Sequence, residues 1–411
     1  MRRAPLLACL LALWPAAALA VDLTYTLSAR TDLRLRTPYA NDSEGALDAG
    51  VASDLELNPV ANVTLGVDQA SFTLGYTPSF IWREPTTGGR FLQLHQARLG
   101  WGQRWEHGSL LVTEEGVIGF TDVGAVRARD DLQTPGVPEV QIVGGVPYLR
   151  SGTLALLDLR PSERWGLGFS AGYQVSGTPS WLAPELTTNR LPLQWGPMAS
   201  ARFRLEVSRL DALSTLAAFS WARFQTGQEQ LVASLSESWD RRLSRSLTLN
   251  LAAGAALTRA VVTPDVGVPG EYLEVLPVAN GGVGWRDEVA GKPLRLDVSA
   301  RMAPFADRFT GLVYERVEGR LGAELVPARE WVVTAGASGA VAVPLGNTTQ
   351  AGDRVFGGDA AATWTIKTWL LLQASVRVLW TEQPRLGANT GQLQAFGSVS
   401  VTVRQQDSLA L

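Results

Sequence analysis

Strict alternation of apolar and polar positions runs through most of this chain. Leu247, Leu249, Leu251, Ala253, Ala255 and Leu257 alternate with Thr248, Asn250, Gly254 and Thr258. Trp165, Leu167, Phe169, Ala171, Tyr173 and Val175 alternate with Gly166, Gly168, Ser170, Gly172, Gln174 and Ser176. Leu294, Leu296, Val298, Ala300 and Met302 alternate with Arg295, Asp297, Ser299 and Arg301. A period of two puts successive side chains on opposite faces of a β-strand. The pattern predicts 18 strands: 23–36, 51–67, 70–83, 90–104, 108–120, 146–160, 164–177, 195–209, 212–226, 229–242, 245–260, 271–287, 292–305, 311–326, 329–343, 353–367, 369–382 and 391–404. Pro59 predicts a break or bulge in the second, because proline brings no N–H to a ladder.

These segments exceed the roughly 5–6 residues of an ordinary strand and satisfy the roughly 9–11 that a tilted strand needs to cross a bilayer. The connections alternate as well. Even strands are followed by short ones: Asp68-Gln69, Pro161-Ser162-Glu163, Leu210-Asp211, Leu243-Ser244 and Pro327-Ala328. Odd strands are mostly followed by longer ones, at 37–50, 121–145, 178–194, 261–270 and 344–352, with 225–228 as the exception. Short turns on one rim and long loops on the other are the pattern of bacterial outer-membrane barrels. The expected fold is therefore all-β: a single closed antiparallel transmembrane β-barrel of about 18 strands, with 16 as the alternative. Closure leaves no sheet edge facing lipid. An even count puts both termini on the short-turn, periplasmic side of the outer membrane of a Gram-negative bacterium.

Residues 1–20 follow a different pattern. Arg2 and Arg3 precede an apolar stretch from Leu6 to Trp14, and Ala18-Leu19-Ala20 supplies small residues for cleavage. This reads as a signal peptide, cleaved to leave 21–411 as the barrel. The chain's one cysteine, Cys9, lies inside it. No later apolar run reaches about 18 residues, so no transmembrane helix is expected.

Composition narrows the chemistry. A chain with 2 His and 1 Cys has few means of building a zinc site, an iron–sulfur centre or a disulfide framework. A net charge of −3 supplies no basic field for nucleic acid. His107 falls in the turn between Trp105 and Gly108 and His95 in the fourth strand, and both are expected to be structural. We expect no catalytic residue, metal or cofactor, and no enzyme.

The polar alternates are the candidate functional residues. Arg30, Arg34, Arg36, Arg202, Arg204, Arg295, Arg301, Arg316, Arg320, Arg377 and Arg404 are expected to line the pore, beside Asp32, Glu206, Asp297, Glu318 and Glu324. A dry core would not hold so many charges, whereas a watery lumen would. This excess of arginine predicts mild anion preference. Aromatic residues at strand ends, among them Phe80, Trp82, Trp101, Trp105, Trp165, Trp195, Trp221, Trp239, Trp331, Trp369 and Trp380, predict interfacial girdles.

The longest loop, 121–145, carries Arg127, Arg129, Asp130, Asp131 and Glu139. It resembles the third external loop of general porins, which also follows strand 5, folds inward and narrows the channel. The resemblance makes these five residues constriction candidates. More narrowly, Leu74-Gly75-Tyr76-Thr77-Pro78-Ser79-Phe80 with Phe91-Leu92-Gln93-Leu94-His95-Gln96-Ala97-Arg98-Leu99 resembles barrels associated with secreted-polysaccharide loci in Gram-negative bacteria. That likeness implies a conduit for polysaccharide export, with saccharide cargo, surrounding outer-membrane lipid and lipopolysaccharide, and a periplasmic export protein docked on the short turns. A diffusion porin for small hydrophilic or anionic solutes is the alternative, and a non-conducting scaffold or adhesin the second. The chain ends Gln405-Gln406-Asp407-Ser408-Leu409-Ala410-Leu411 without the terminal aromatic of the usual barrel-assembly signal, so the last strand is expected to stop near Arg404.

Overall fold

A computed structural model describes residues 21–37, 52–84, 91–121, 146–182, 192–262, 270–306, 313–344, 353–383 and 388–410. The expected signal peptide and the loop residues Arg127, Arg129, Asp130, Asp131 and Glu139 lie outside them. The described residues form β1 (Val21–Arg36), β2 (Ala52–Val67), β3 (Ala70–Glu84), β4 (Phe91–Trp105), β5 (Gly108–Thr121), β6 (Val146–Leu159), β7 (Trp165–Gly177), β8 (Gln194–Glu206) and β9 (Asp211–Phe224). They continue with β10 (Glu229–Arg242), β11 (Leu247–Val262), β12 (Gly270–Val289), β13 (Lys292–Ala306), β14 (Val313–Ala328), β15 (Trp331–Pro344), β16 (Asp353–Lys367), β17 (Leu370–Gln383) and β18 (Ala388–Ala410). Each strand pairs antiparallel with its neighbours in sequence, and β1 also pairs with β18, which closes an 18-stranded ring.

The closing seam is longer than periodicity implies. β18 runs past Arg404 to pair Ala410 with Asp22. Beyond Arg404 both faces are polar, so alternation fades. The backbone still needs partners, and β1 supplies them. Pro59 also behaves differently from the expected break. It stands level with Pro78 of β3, and pairing lapses only between Leu57↔Phe80 and Ala61↔Tyr76, with the register unchanged on either side. Two opposed prolines remove two donors from the ladder without inserting a residue.

The short-turn rim is built from local chemistry. Ser162, Ser208 and Ser244 each accept backbone N–H bonds from the residues two and three positions on, at 3.0–3.3 Å. Such serine turns fix tight reversals. Ala290-Gly291 joins β12 to β13 with φ of 54° and 70°. Positive φ at both central residues is the turn whose twist matches a hairpin.

Register sorts the side chains into two faces. Leu74 stands opposite Leu99, Phe169 opposite Ala201, and Leu251 opposite Gly281. Large apolar residues of this face are exposed, including Leu74, Leu99, Leu235, Val298 and Leu321. Apolar exposure around a whole ring has hydrocarbon as its solvent. Aromatics gather near the strand ends of this face: Trp82 with Phe91 and Phe356 with Trp380 toward the long loops, Trp165 with Phe203 and Trp331 with Trp364 toward the short turns. Two carboxylates interrupt it in mid-strand. Glu237 accepts from the Thr215 hydroxyl at 2.8 and 2.9 Å, and Glu114 from Ser151 at 3.1 Å and from Thr153.

Ala290 holds a left-handed conformation that its Cβ disfavours by about 1 kcal/mol. Ala290→Gly should therefore raise stability by about 1 kcal/mol, seen as a higher urea midpoint for the protein refolded in lipid vesicles. An unchanged or lower midpoint would contradict the turn geometry.

Candidate functional site in the barrel lumen

The alternates of the apolar face form one continuous polar surface, which a closed ring turns inward. Arg30 stands opposite Thr402 and Asn58, and Arg34 opposite Ser398 and Asp54. Arg202 and Arg204 face Leu216 and Ser214. Arg295 and Arg301 face Glu324 and Glu318, while Arg316 and Arg320 face Ala342 and Ser338. Arg377 stands across from Asp359, and Arg404 from Ser28. All ten share this surface. Arg36 pairs with Ala52 and Phe396 by its backbone, and its side chain lies outside the description.

The two halves of this surface differ. On the long-loop half it is packed. Leu92, Leu94, Val117, Tyr148, Phe224, Val355 and Leu379 are buried there, together with Asp32, Glu56, Ser79 and Arg83. Three of its arginines are ion-paired. Arg30 donates to Asp32 through Nε at 2.9 Å and Nη2 at 2.7 Å, Arg34 pairs with Glu56, and Arg316 lies 3.0 Å from Glu318. Ser79 donates to Glu56 at 2.8 Å, and the Arg316 guanidinium sits over the Phe305 ring at 5.4 Å. Burial strengthens these contacts by lowering the local dielectric.

On the short-turn half the surface is open. A cavity of 920 Å³ spans β8 to β14, with Arg209, Arg241, Glu206, Asp211, Asp240 and Asp297 on its border beside five inner-face arginines, Arg204, Arg242, Arg286, Arg295 and Arg320. Of these, Arg295 is held by Asp297 at 2.6 Å. The other four form no ion pair among the described residues. Backbone bonds from Arg242 N–H to Leu210 and from Arg286 N–H to Ser246, 2.9 and 2.8 Å, anchor the two rim arginines beyond the last serine turns. Asn250 donates to Asp240 on the cavity wall.

Sequence reasoning passed over Arg242 and Arg286, which sit at strand ends where alternation runs into turns. It also left several strands out of its charge tally. Register puts Asp54, Glu56, Glu115, Asp158, Asp240 and Asp359 on the inner face. Arginine therefore exceeds acid by less over the whole lumen than the eleven candidates imply. The excess is local, in the cavity. Carrying the period of two through every strand finds these residues from sequence.

Neither histidine reaches this surface. His95 lies on the apolar face, opposite Pro78 and Ile118. Its Nδ1 is 2.8 Å from the Tyr76 hydroxyl, the two rings stack with centroids 6.2 Å apart, and Phe80 meets it edge-on. His107 occupies an exposed turn 3.8 Å from Glu106.

A model of the EpsX exopolysaccharide export family matches residues 16–409. The chain is also similar to solved outer-membrane structures. The outer membrane protein opdK from Pseudomonas aeruginosa is 9% identical, with 94% of this chain and 99% of that one covered, at a TM-score of 0.48. A BenF-like porin from Pseudomonas fluorescens Pf-5 is 10% identical over 94% and 99% of the two chains, at 0.49. OccAB3 from Acinetobacter baumannii is 10% identical over 94% and 99%, at 0.48. No curated protein matches the sequence.

Unmatched arginines in a wall of low dielectric attract anions beyond their number. In planar bilayers under a KCl gradient, the reversal potential should show mild anion preference. The preference should weaken as salt rises past about 0.1 M and the Debye length falls below about 10 Å. Replacing Arg242 and Arg286 with Gln should move the permeability ratio toward unity. Cation preference in the unmodified protein would reject this account of the lumen.

Proposed function

Because the chain belongs to the EpsX exopolysaccharide export family, we propose that its barrel is the outer-membrane conduit through which a polysaccharide made inside the cell leaves it. The match over residues 16–409 is the observation that carries this reading. The charged, open short-turn half of the lumen supports it, since a passive scaffold has no use for a hydrated interior. Family and architecture both point to transport rather than catalysis.

In this reading residues 1–20 are the signal peptide, cleaved after export, and 21–411 are the mature barrel. Both termini and the serine turns face the periplasm. The compact rim there offers a docking surface for a periplasmic export protein that hands over the polymer, while lipid and lipopolysaccharide cover the apolar face. The arginines assigned to the lumen line the path, and 121–145 narrows it. Diffusion of small hydrophilic or anionic solutes is the second reading, favoured by the width of the open half, because a passive channel has no intrinsic direction.

Deleting the gene should abolish surface polysaccharide while polymer accumulates in the periplasm, and a plasmid copy should restore it. Unchanged polymer with slowed uptake of small solutes would replace the export reading with the diffusion one.

A further inference from the structure

We infer that the open cavity on the short-turn half is a binding site for an acidic oligosaccharide segment, one that carries carboxylates at intervals along a linear chain. The inference rests on the conduit reading and names the class of polymer that the conduit takes.

Three observations converge on it. First, four inner-face arginines without ion pairs border the cavity on alternate strands. Arg204 is on β8, Arg242 on β10, Arg286 on β12 and Arg320 on β14, each on the inner face and each bordering the cavity. Neighbouring strands lie about 4.8 Å apart, so arginines on every second strand have a lateral spacing of about 10 Å, and they are also staggered along the strands, since Arg204 is level with Ser238 and Arg286 with Glu324. A single small anion meets one of them. A linear chain with repeated carboxylates meets several in turn, each through the planar, paired donors that suit a carboxylate.

Second, the floor between the arginines is bare. Gly282, Gly284 and Gly322 stand on the inner face there, opposite Asn250, Thr248 and Asp297. A Cβ on Gly284 would come within 2.9 Å of the Thr248 hydroxyl and 3.2 Å of Asp297 Oδ1. Glycine there makes room for the Thr248 and Asp297 side chains of the flanking strands, whereas at Gly282 and Gly322 the nearest atoms lie at 3.5 Å or beyond and the backbone stays open to the face of a flat ring. Thr248, Asn250, Ser299 and Asp240 around it supply donors and acceptors for sugar hydroxyls.

Third, the site has the size and electrostatic isolation of a ligand site. Its 920 Å³ falls in the range of about 300–1,000 Å³ common for such sites. On the packed half, Arg30, Arg34 and Arg316 already have carboxylate partners from the chain itself. The cavity thus presents cationic donors without ion pairs where cargo would enter from the short-turn side, and a polymer carboxylate would be their partner.

Calorimetry on the full barrel in lipid nanodiscs tests this with trigalacturonate, maltotriose, monomeric galacturonate and inorganic phosphate as probes. Trigalacturonate should bind at least about tenfold more tightly than each of the other three, and less tightly as salt rises. Combined Arg242→Gln, Arg286→Gln and Arg320→Gln should weaken trigalacturonate about tenfold or more, whereas Arg259→Gln, on the outer rim beside Glu271, should leave it unchanged. Heat-modifiable gel mobility verifies that each variant is a folded barrel, and Lys at the same three positions should retain part of the affinity. Maltotriose binding as tightly as trigalacturonate would overturn the assignment in favour of a neutral-sugar site. Phosphate or monomer matching it would reduce the site to a general anion trap, and undiminished binding by the triple Gln variant would place the ligand elsewhere. Any of these, with export intact, rejects the acidic-sugar site alone, whereas polymer export surviving deletion of the gene rejects the conduit.

Discussion

Hydrocarbon offers no partner to a backbone amide or carbonyl, and each one left open inside a bilayer costs several kcal/mol. Everything else in this barrel depends on meeting that demand within the chain. Eighteen antiparallel pairings do so, and the pairing of β1 with β18 is the one that converts a sheet into a ring. Side-chain patterning is secondary there. The polar end of β18 remains a strand to Ala410 because β1 has donors and acceptors for it. The same constraint explains the tolerance of Pro59 and Pro78, which face each other and so interrupt one place on the ladder instead of two.

Closure then forces an inside and an outside, and the alternation of side chains gives each a solvent. Leucine, valine and alanine cover the outer face, with aromatics near its two margins. Glu114 and Glu237 interrupt it in mid-strand, and hydroxyls of Ser151, Thr153 and Thr215 on the same face hydrogen-bond their carboxylates. Local polar partners of this kind lower the penalty of a carboxyl group among lipid chains without requiring an opposite charge.

Water makes the inner face permissive, yet charge is not scattered evenly over it. Toward the long loops, arginines meet aspartate and glutamate, and Tyr314, Leu92 and Leu94 are buried on the same half. Toward the short turns, glycines thin the wall, and Arg204, Arg242, Arg286 and Arg320 stand without an ion pair although Glu206 and Asp240 border the same cavity. The first arrangement is packed and ion-paired, and the second is open. A barrel with one packed and one open half follows from how one alphabet of residues is divided along the barrel axis.

The sequence by itself determined that there are 18 strands, which face of each is apolar, and which rim has the short turns. These depend on periodicity and turn chemistry, and both are local. It also implied an arginine-bearing interior, since alternation ties the side of every polar residue to that of its apolar neighbours. What tertiary structure decided is which charges meet. Arg34 and Glu56 lie on different strands, as do the four unpaired arginines that border the cavity, and only strand pairing brings them to one wall. Strand ends such as Arg242, Arg286 and the tail of β18 were equally hidden, because turns and polar margins erase the alternation while backbone pairing continues through them.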